Sequence, residues 1–155
     1  MTMRTILTLA VSLFIVTFST AAQQLPPKPA PDGITTNRTW TDDDLETIMK
    51  QVGPTAANLR KMLDAQNGPA AESHADTLEH YFRDVEDFFD NRGMEDPEDI
   101  AQEATTHAGH VEDAAEDKDF AKANEHYKLL MAACQTCHTK YREGNATAGY
   151  RLKKQ

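Results

Sequence analysis

Positive charge is in short supply in this chain, where 16 lysines and arginines stand against 25 aspartates and glutamates. A surface of that sign argues against nucleic acid as a partner. Strand-like alternation of apolar and polar residues is missing throughout, so no sheet is expected. The one long apolar run, residues 6–18, falls well short of the roughly 20 residues that a membrane-spanning helix needs. No stable membrane anchor is therefore expected, and because no cysteine closely follows the run, a lipoprotein anchor is excluded too. Outside the pair of cysteines near the carboxyl end, no cluster of acid, base or nucleophile stands out, which argues against catalysis.

What is present falls into four stretches. Arg4, the apolar run and the small residues Ser19-Thr20-Ala21-Ala22 read as a removable secretory signal over residues 1–22. The chain is then expected to be exported, to the periplasm in a bacterium. Loss of Arg4 leaves 15 basic against 25 acidic residues, a net charge of −10, which is compatible with a basic docking partner. Residues 23–40 hold four prolines and almost no large apolar side chain, too little to offset ordering entropy, and read as a flexible leader. Residues 41–143 are the length of one small domain, and residues 144–155 read as a polar tail.

Within the domain the apolar residues repeat at alternating steps of three and four, the period of a helical seam. Thr41 can cap a first helix, three aspartates favour its positive end, and Trp40 can staple onto Leu45. The first seam is Leu45, Met49, Val52, Ala56, Leu59 and Leu63. It keeps its phase across Gly53-Pro54, which predicts a kinked single helix. After Asn67-Gly68-Pro69, a stop followed by a start, the second seam runs through Ala71, Ala75, Leu78, Phe82, Val85 and Phe89, with Phe88 beside it. A third helix over about 97–116 is lined by Ala101, Ala104, Ala108, Val111 and Ala115, flanked by Ile100. The last helix opens at Asp117-Lys118-Asp119 and carries Phe120, Ala123, Tyr127, Leu130, Cys134, Cys137 and Tyr141. The expected fold is all-α, an antiparallel up-down-up-down four-helix bundle.

The chemistry concentrates in Cys134-Gln135-Thr136-Cys137-His138. Cysteines three apart on a helix put both sulfurs on one face, and a histidine four from the first joins them. That arrangement suits one covalently attached c-type haem, held by thioethers from Cys134 and Cys137 with His138 as proximal iron ligand near one end of the bundle. The cysteines occupy seam positions, so the attachment faces the interior. A thioredoxin-like pair would sit at a helix N-terminus beside strands, and a zinc site would need His107 and His110, which precede the cysteines out of the usual finger order. His74, His80, His107, His110 and His126 read as solvated helix surface.

For the sixth iron position, antiparallel topology puts the end of the last helix beside the start of the first. His138 lies ~6 Å from its helix end and Met49 ~12 Å from its helix start, so the two can face each other. Met94, in the turn between the second and third helices, is the rival. Ordinary core packing is the plain alternative for Met49. Leu45, Val52, Val85, Phe89, Ile100, Ala104, Tyr127, Leu130 and Met131 are the expected pocket walls.

Residues 134–142, with Tyr141 and Arg142 three and four positions after His138, resemble the carboxyl-terminal signature of class II cytochromes c, the cytochrome c′ and cytochrome c-556 group. Leu45 to Gly53, with Met49-Lys50 and a glycine four residues after the methionine, is similar to the first helix of the low-spin c-556 branch, whose methionine binds iron. The resemblance implies thioethers at Cys134 and Cys137 and ligation by His138 and Met49. Gly53-Pro54 departs from that pattern. A periplasmic one-electron carrier with a redox partner protein is the expectation, with the oligomeric state left open, a homodimer included. The alternative is a five-coordinate haem protein that binds nitric oxide or carbon monoxide.

Overall fold

The structure is a computed structural model that describes residues 39–145 and 149–153. The expected signal and all of the leader but Thr39 and Trp40 lie outside these residues. Four helices follow one another: α1 (Asp42–Asp64), α2 (Gly68–Asp90), α3 (Glu95–Glu116) and α4 (Phe120–Tyr141). Each packs on the next in sequence order, which makes the all-α four-helix bundle that the periodicity predicts. Among the described residues no helix is long and apolar enough to cross a membrane.

Local chemistry sets the helix ends. Thr41 and Asp44 form a reciprocal capping box at the start of α1, and Trp40 is buried against the core. Pro54 lies inside α1, which continues through it as one helix. Asn67 caps α2, whose first turn contains Pro69, and Asp119 caps α4 through the Lys122 amide. The start of α3 has no side-chain cap of that kind, and acidic residues in its first turn offset the exposed amides.

The seams turn inward as the spacing requires. All six residues of the α2 seam and Phe88 are buried, as are the five of α3 and Ile100. The alanines of α3 let it approach both neighbours closely. Helix α4 differs, since only Ala123, Leu130 and Ala133 are buried on it.

The carboxyl end corrects the sequence expectation of a strandless chain with a polar tail. After Tyr141 the backbone turns extended and forms β1 (Arg142–Asn145), which pairs antiparallel with β2 (Gly149–Leu152), Arg142 opposite Leu152 and Gly144 opposite Tyr150. Two strands of four residues are too short to display a period. Side chains hold them instead: Arg142 lies 4.3 Å from the Tyr150 ring centroid, and Arg151 pairs with Glu143 at 2.7 Å. Gly144 sits at φ +93°, and a Cβ there would stand 2.1 Å from the Gly149 carbonyl oxygen, so only glycine fits. Leu152 packs against the core, and Lys153 donates its amide to the Tyr141 carbonyl at 2.8 Å.

Candidate functional site

The start of α1, the end of α2, the start of α3 and the end of α4 meet at one end of the bundle around a cavity of about 660 Å³. That volume is in the range of small-molecule and cofactor pockets. Leu45, Met49 and Val52 line it from α1, Phe82, Val85 and Phe89 from α2, Ile100, Ala101 and Ala104 from α3, and Ala133, Cys134, Cys137, His138 and Tyr141 from α4. The hairpin closes one side with Tyr150 and Leu152. Antiparallel packing is what gathers Met49 with three residues that lie more than eighty positions further along the chain.

Of the predicted walls, Leu45, Val52, Val85, Phe89, Ile100 and Ala104 line this cavity, and Tyr127, Leu130 and Met131 do not. Met131 points outward with 40% of its surface exposed. Tyr127, two turns before Cys134, donates its hydroxyl to the Ala56 carbonyl at 3.2 Å and ties α4 to α1 below the cavity. Met94 occupies the residue before α3 and packs against the core without reaching the cavity wall. Met49 therefore shares the cavity lining with the Cys-x-x-Cys-His segment, and Met94 does not.

Both cysteines are free thiols. Burial, with Cys137 nearby, pushes the Cys134 thiol up to about 11, and burial with Asp96 raises Cys137. A redox-active pair needs the opposite, a thiolate stabilised at a helix N-terminus. Burial, aided by Arg142, lowers His138, so its imidazole is neutral near pH 7 and has a lone pair to give to a metal. The rim is tied together by Asp96 in the first turn of α3, which accepts from the Tyr141 hydroxyl and pairs with Lys140 at 3.2 Å. The Tyr141 bond, then Lys140, holds the Asp96 carboxyl below its usual range, and the bond to Asp96, with burial, lifts the Tyr141 phenol to about 12. Charge around the mouth is mixed, with Asp42, Asp43 and Glu46 near Lys50, Arg142 and Arg151.

Of the histidines away from this site, His110 is exposed as expected, His80, His107 and His126 are half-buried, and His74 corrects the expectation of a solvated surface. His74 is buried at 6% exposure, and its Nδ1 has no hydrogen-bond partner among the described residues. His107 and His110 on α3 meet His126 on α4. His110 is exposed and the other two are half-buried. None of the three lines the cavity with the cysteines. Once the helix bounds are known the convergence follows: His110 precedes the end of α3 by as many residues as His126 follows the start of α4, and a short turn joins the two helices. No protein-family model and no curated protein matches the chain, so any functional reading rests on its own residues.

Proposed function

We propose that the chain is an exported one-electron carrier with one covalently held haem, bound through Cys134 and Cys137 and ligated at iron by His138 and Met49. The observation that carries this reading is the convergence of those four side chains on one largely apolar cavity. The donor set fits the group: two protonated thiols at helical spacing, a neutral imidazole beside them, and a thioether on the same cavity. A bound haem would supply a reversible ferric-ferrous couple, whose potential a methionine ligand raises.

The remaining work belongs to the chain. Thioether bonds at Cys134 and Cys137 fix the group in one orientation. His138, at the end of α4, would give its lone pair to the iron, and Met49, on the same cavity, would offer its thioether as a second ligand and so leave little room for substrate. Leu45, Val52, Phe82, Val85, Phe89 and Ile100 exclude water, and the hairpin covers the flank. Ligation from both His138 and Met49 would let such a group change by one electron with little rearrangement, which suits transfer better than catalysis. The resemblance to class II cytochromes c supports the same assignment. The signal-like residues 1–22 support export, which the proposed thioether attachment also requires in a bacterium, and the net negative charge suits a basic redox partner.

Mass spectrometry of periplasmic protein tests the attachment: one haem added to the mature chain is expected, and an apo mass with both thiols open to alkylation would overturn it. The oxidised visible spectrum tests the ligation. A methionine-to-iron charge-transfer band at the red edge is expected. A high-spin spectrum with immediate carbon monoxide binding on reduction would replace the carrier with a gas-binding protein.

A further inference from the structure

Three of the six histidines in the chain converge on one spot of the α3–α4 interface. Helical geometry explains how. His107 and His110 are one turn apart on α3 and so share a face. The connection between the helices is only residues 117–119, which forces α3 and α4 antiparallel and sets His126 level with His110. The Nδ1 atoms of His107 and His126 are 3.3 Å apart. The His110 ring centroid is 4.6 Å from that of His126 and 6.2 Å from that of His107. One ligand atom from each residue can be chosen so that all three lie within 4.8 Å of one another.

From this arrangement we infer that His107, His110 and His126 form a binding site for a borderline divalent first-row metal ion, of the Zn²⁺ class, separate from the cavity. Three imidazoles are donors that suit zinc, copper and nickel rather than magnesium or calcium. Nitrogens bound tetrahedrally to zinc at their usual length stand about 3.3 Å apart, the spacing already present between His107 and His126. His110, on the exposed side, needs only a side-chain adjustment to complete the set. The Glu103 carboxylate lies 3.9 Å from His107 Nε2, on the ring nitrogen that does not face His126. It is positioned to orient the ring and favour coordination through Nδ1, as carboxylates behind metal-bound histidines do. The exposed His110 leaves the cluster open to solvent on one side. His126 and His138 are twelve residues apart on one helix, or ~18 Å, so metal at one site does not depend on what occupies the other.

Such an ion would cross-link α3 to α4 at mid-bundle. The test is calorimetric titration of the full chain with ZnCl₂, with MgCl₂ as control, repeated on His126→Gln, on the exposed His110→Gln and on His80→Gln. One saturable Zn²⁺ per chain is expected. Affinity should fall at least about tenfold in His126→Gln and in His110→Gln, should hold in His80→Gln, and Mg²⁺ should give no heat of binding. Excess ZnCl₂ should also raise the melting temperature of the unmodified chain and of His80→Gln, but hardly that of His126→Gln. Circular dichroism at the start of each melt confirms that the variants are folded. Absence of saturable binding overturns the assignment. So does Zn²⁺ binding that survives in both interface variants, because it would then belong to Cys134, Cys137 or another group.

Discussion

Helices α2 and α4 carry apolar residues at the same alternating steps of three and four, and the two seams end in different surroundings. Every seam residue of α2 is buried, whereas Phe120, Tyr127, Cys134, Cys137 and Tyr141 on α4 are only partly covered. The reason lies in what each helix faces. Helix α2 meets the alanines of α3 at close range. Helices α1 and α4 touch least of the neighbouring pairs, and the space between their cavity-end turns is the cavity. Spacing thus reports which face turns inward, and side-chain volume decides whether protein atoms or something else fill the space. The volume is withheld at one end of one seam, where the chain also places two thiols, an imidazole and a thioether.

The largest expected effect breaks the packed half. Phe88 is fully buried, meets Phe89 edge to face at 5.0 Å, and lies beneath the Arg92 guanidinium at 3.6 Å. Phe88→Ala should cost about 3–5 kcal/mol in urea unfolding. Phe120→Ala, on the partly covered α4 seam, should cost clearly less. Equal losses would mean that the two seams are packed alike.

Next comes the contact that keeps α2 and α3 close. A Cβ at Gly68 would stand 2.8 Å from the Ala115 carbonyl oxygen, a backbone atom that cannot swing aside. Gly68→Ala should therefore cost about 1–3 kcal/mol by overpacking, despite the better helix propensity of alanine. A stabilised variant would show that this interface has slack.

Much of this architecture was legible in the residues. The four seams, the cap at Thr41 and the placing of Met49 and His138 at one end of the bundle follow from period, capping chemistry and antiparallel order. What was not legible has physical causes. A hairpin with four-residue strands leaves no periodic trace, and its support comes from Arg142, Tyr150, Arg151 and Leu152, each ordinary in a tail. His74 looks like surface by residue type, yet it falls one position before Ala75 on the buried side of α2, where helical faces are wider than a strict seam. The His107–His110–His126 cluster needs the length of the α3–α4 turn before its members come level.

His74 gives the next smaller effect, again within the packed half. Burial lowers its folded pKa below the ordinary 6.5. Above that value the ring is neutral in both states. As pH falls below it the unfolded chain takes up the proton first, so stability is lost as the solution becomes more acidic. His74→Leu removes both this proton linkage and the unpartnered Nδ1. It should gain about 1 kcal/mol near pH 7, and its stability should fall less steeply than that of the unmodified chain between pH 6.5 and 5. An unchanged slope in that window would place the acid sensitivity elsewhere.

In the open half the expected change in stability is slight, and the test there sharpens the comparison most. Met49 is half-buried on the wall of the cavity that Cys134, Cys137 and His138 also line. Leucine is close to methionine in volume, so Met49→Leu should change stability by less than about 1.5 kcal/mol, below the cost at Phe88. If Met49 were simply core, nothing further would follow. As the proposed sixth ligand, it should leave the iron without its soft thioether: the methionine band should disappear, the potential should fall, and carbon monoxide should bind quickly to the reduced protein. Met94→Leu, in a residue that packs on the core away from the cavity wall, should alter none of these. A Met49→Leu protein with its original spectrum and potential would return Met49 to the status of Leu45 and Val52, a wall residue of a pocket whose iron is ligated from another direction or on one side only.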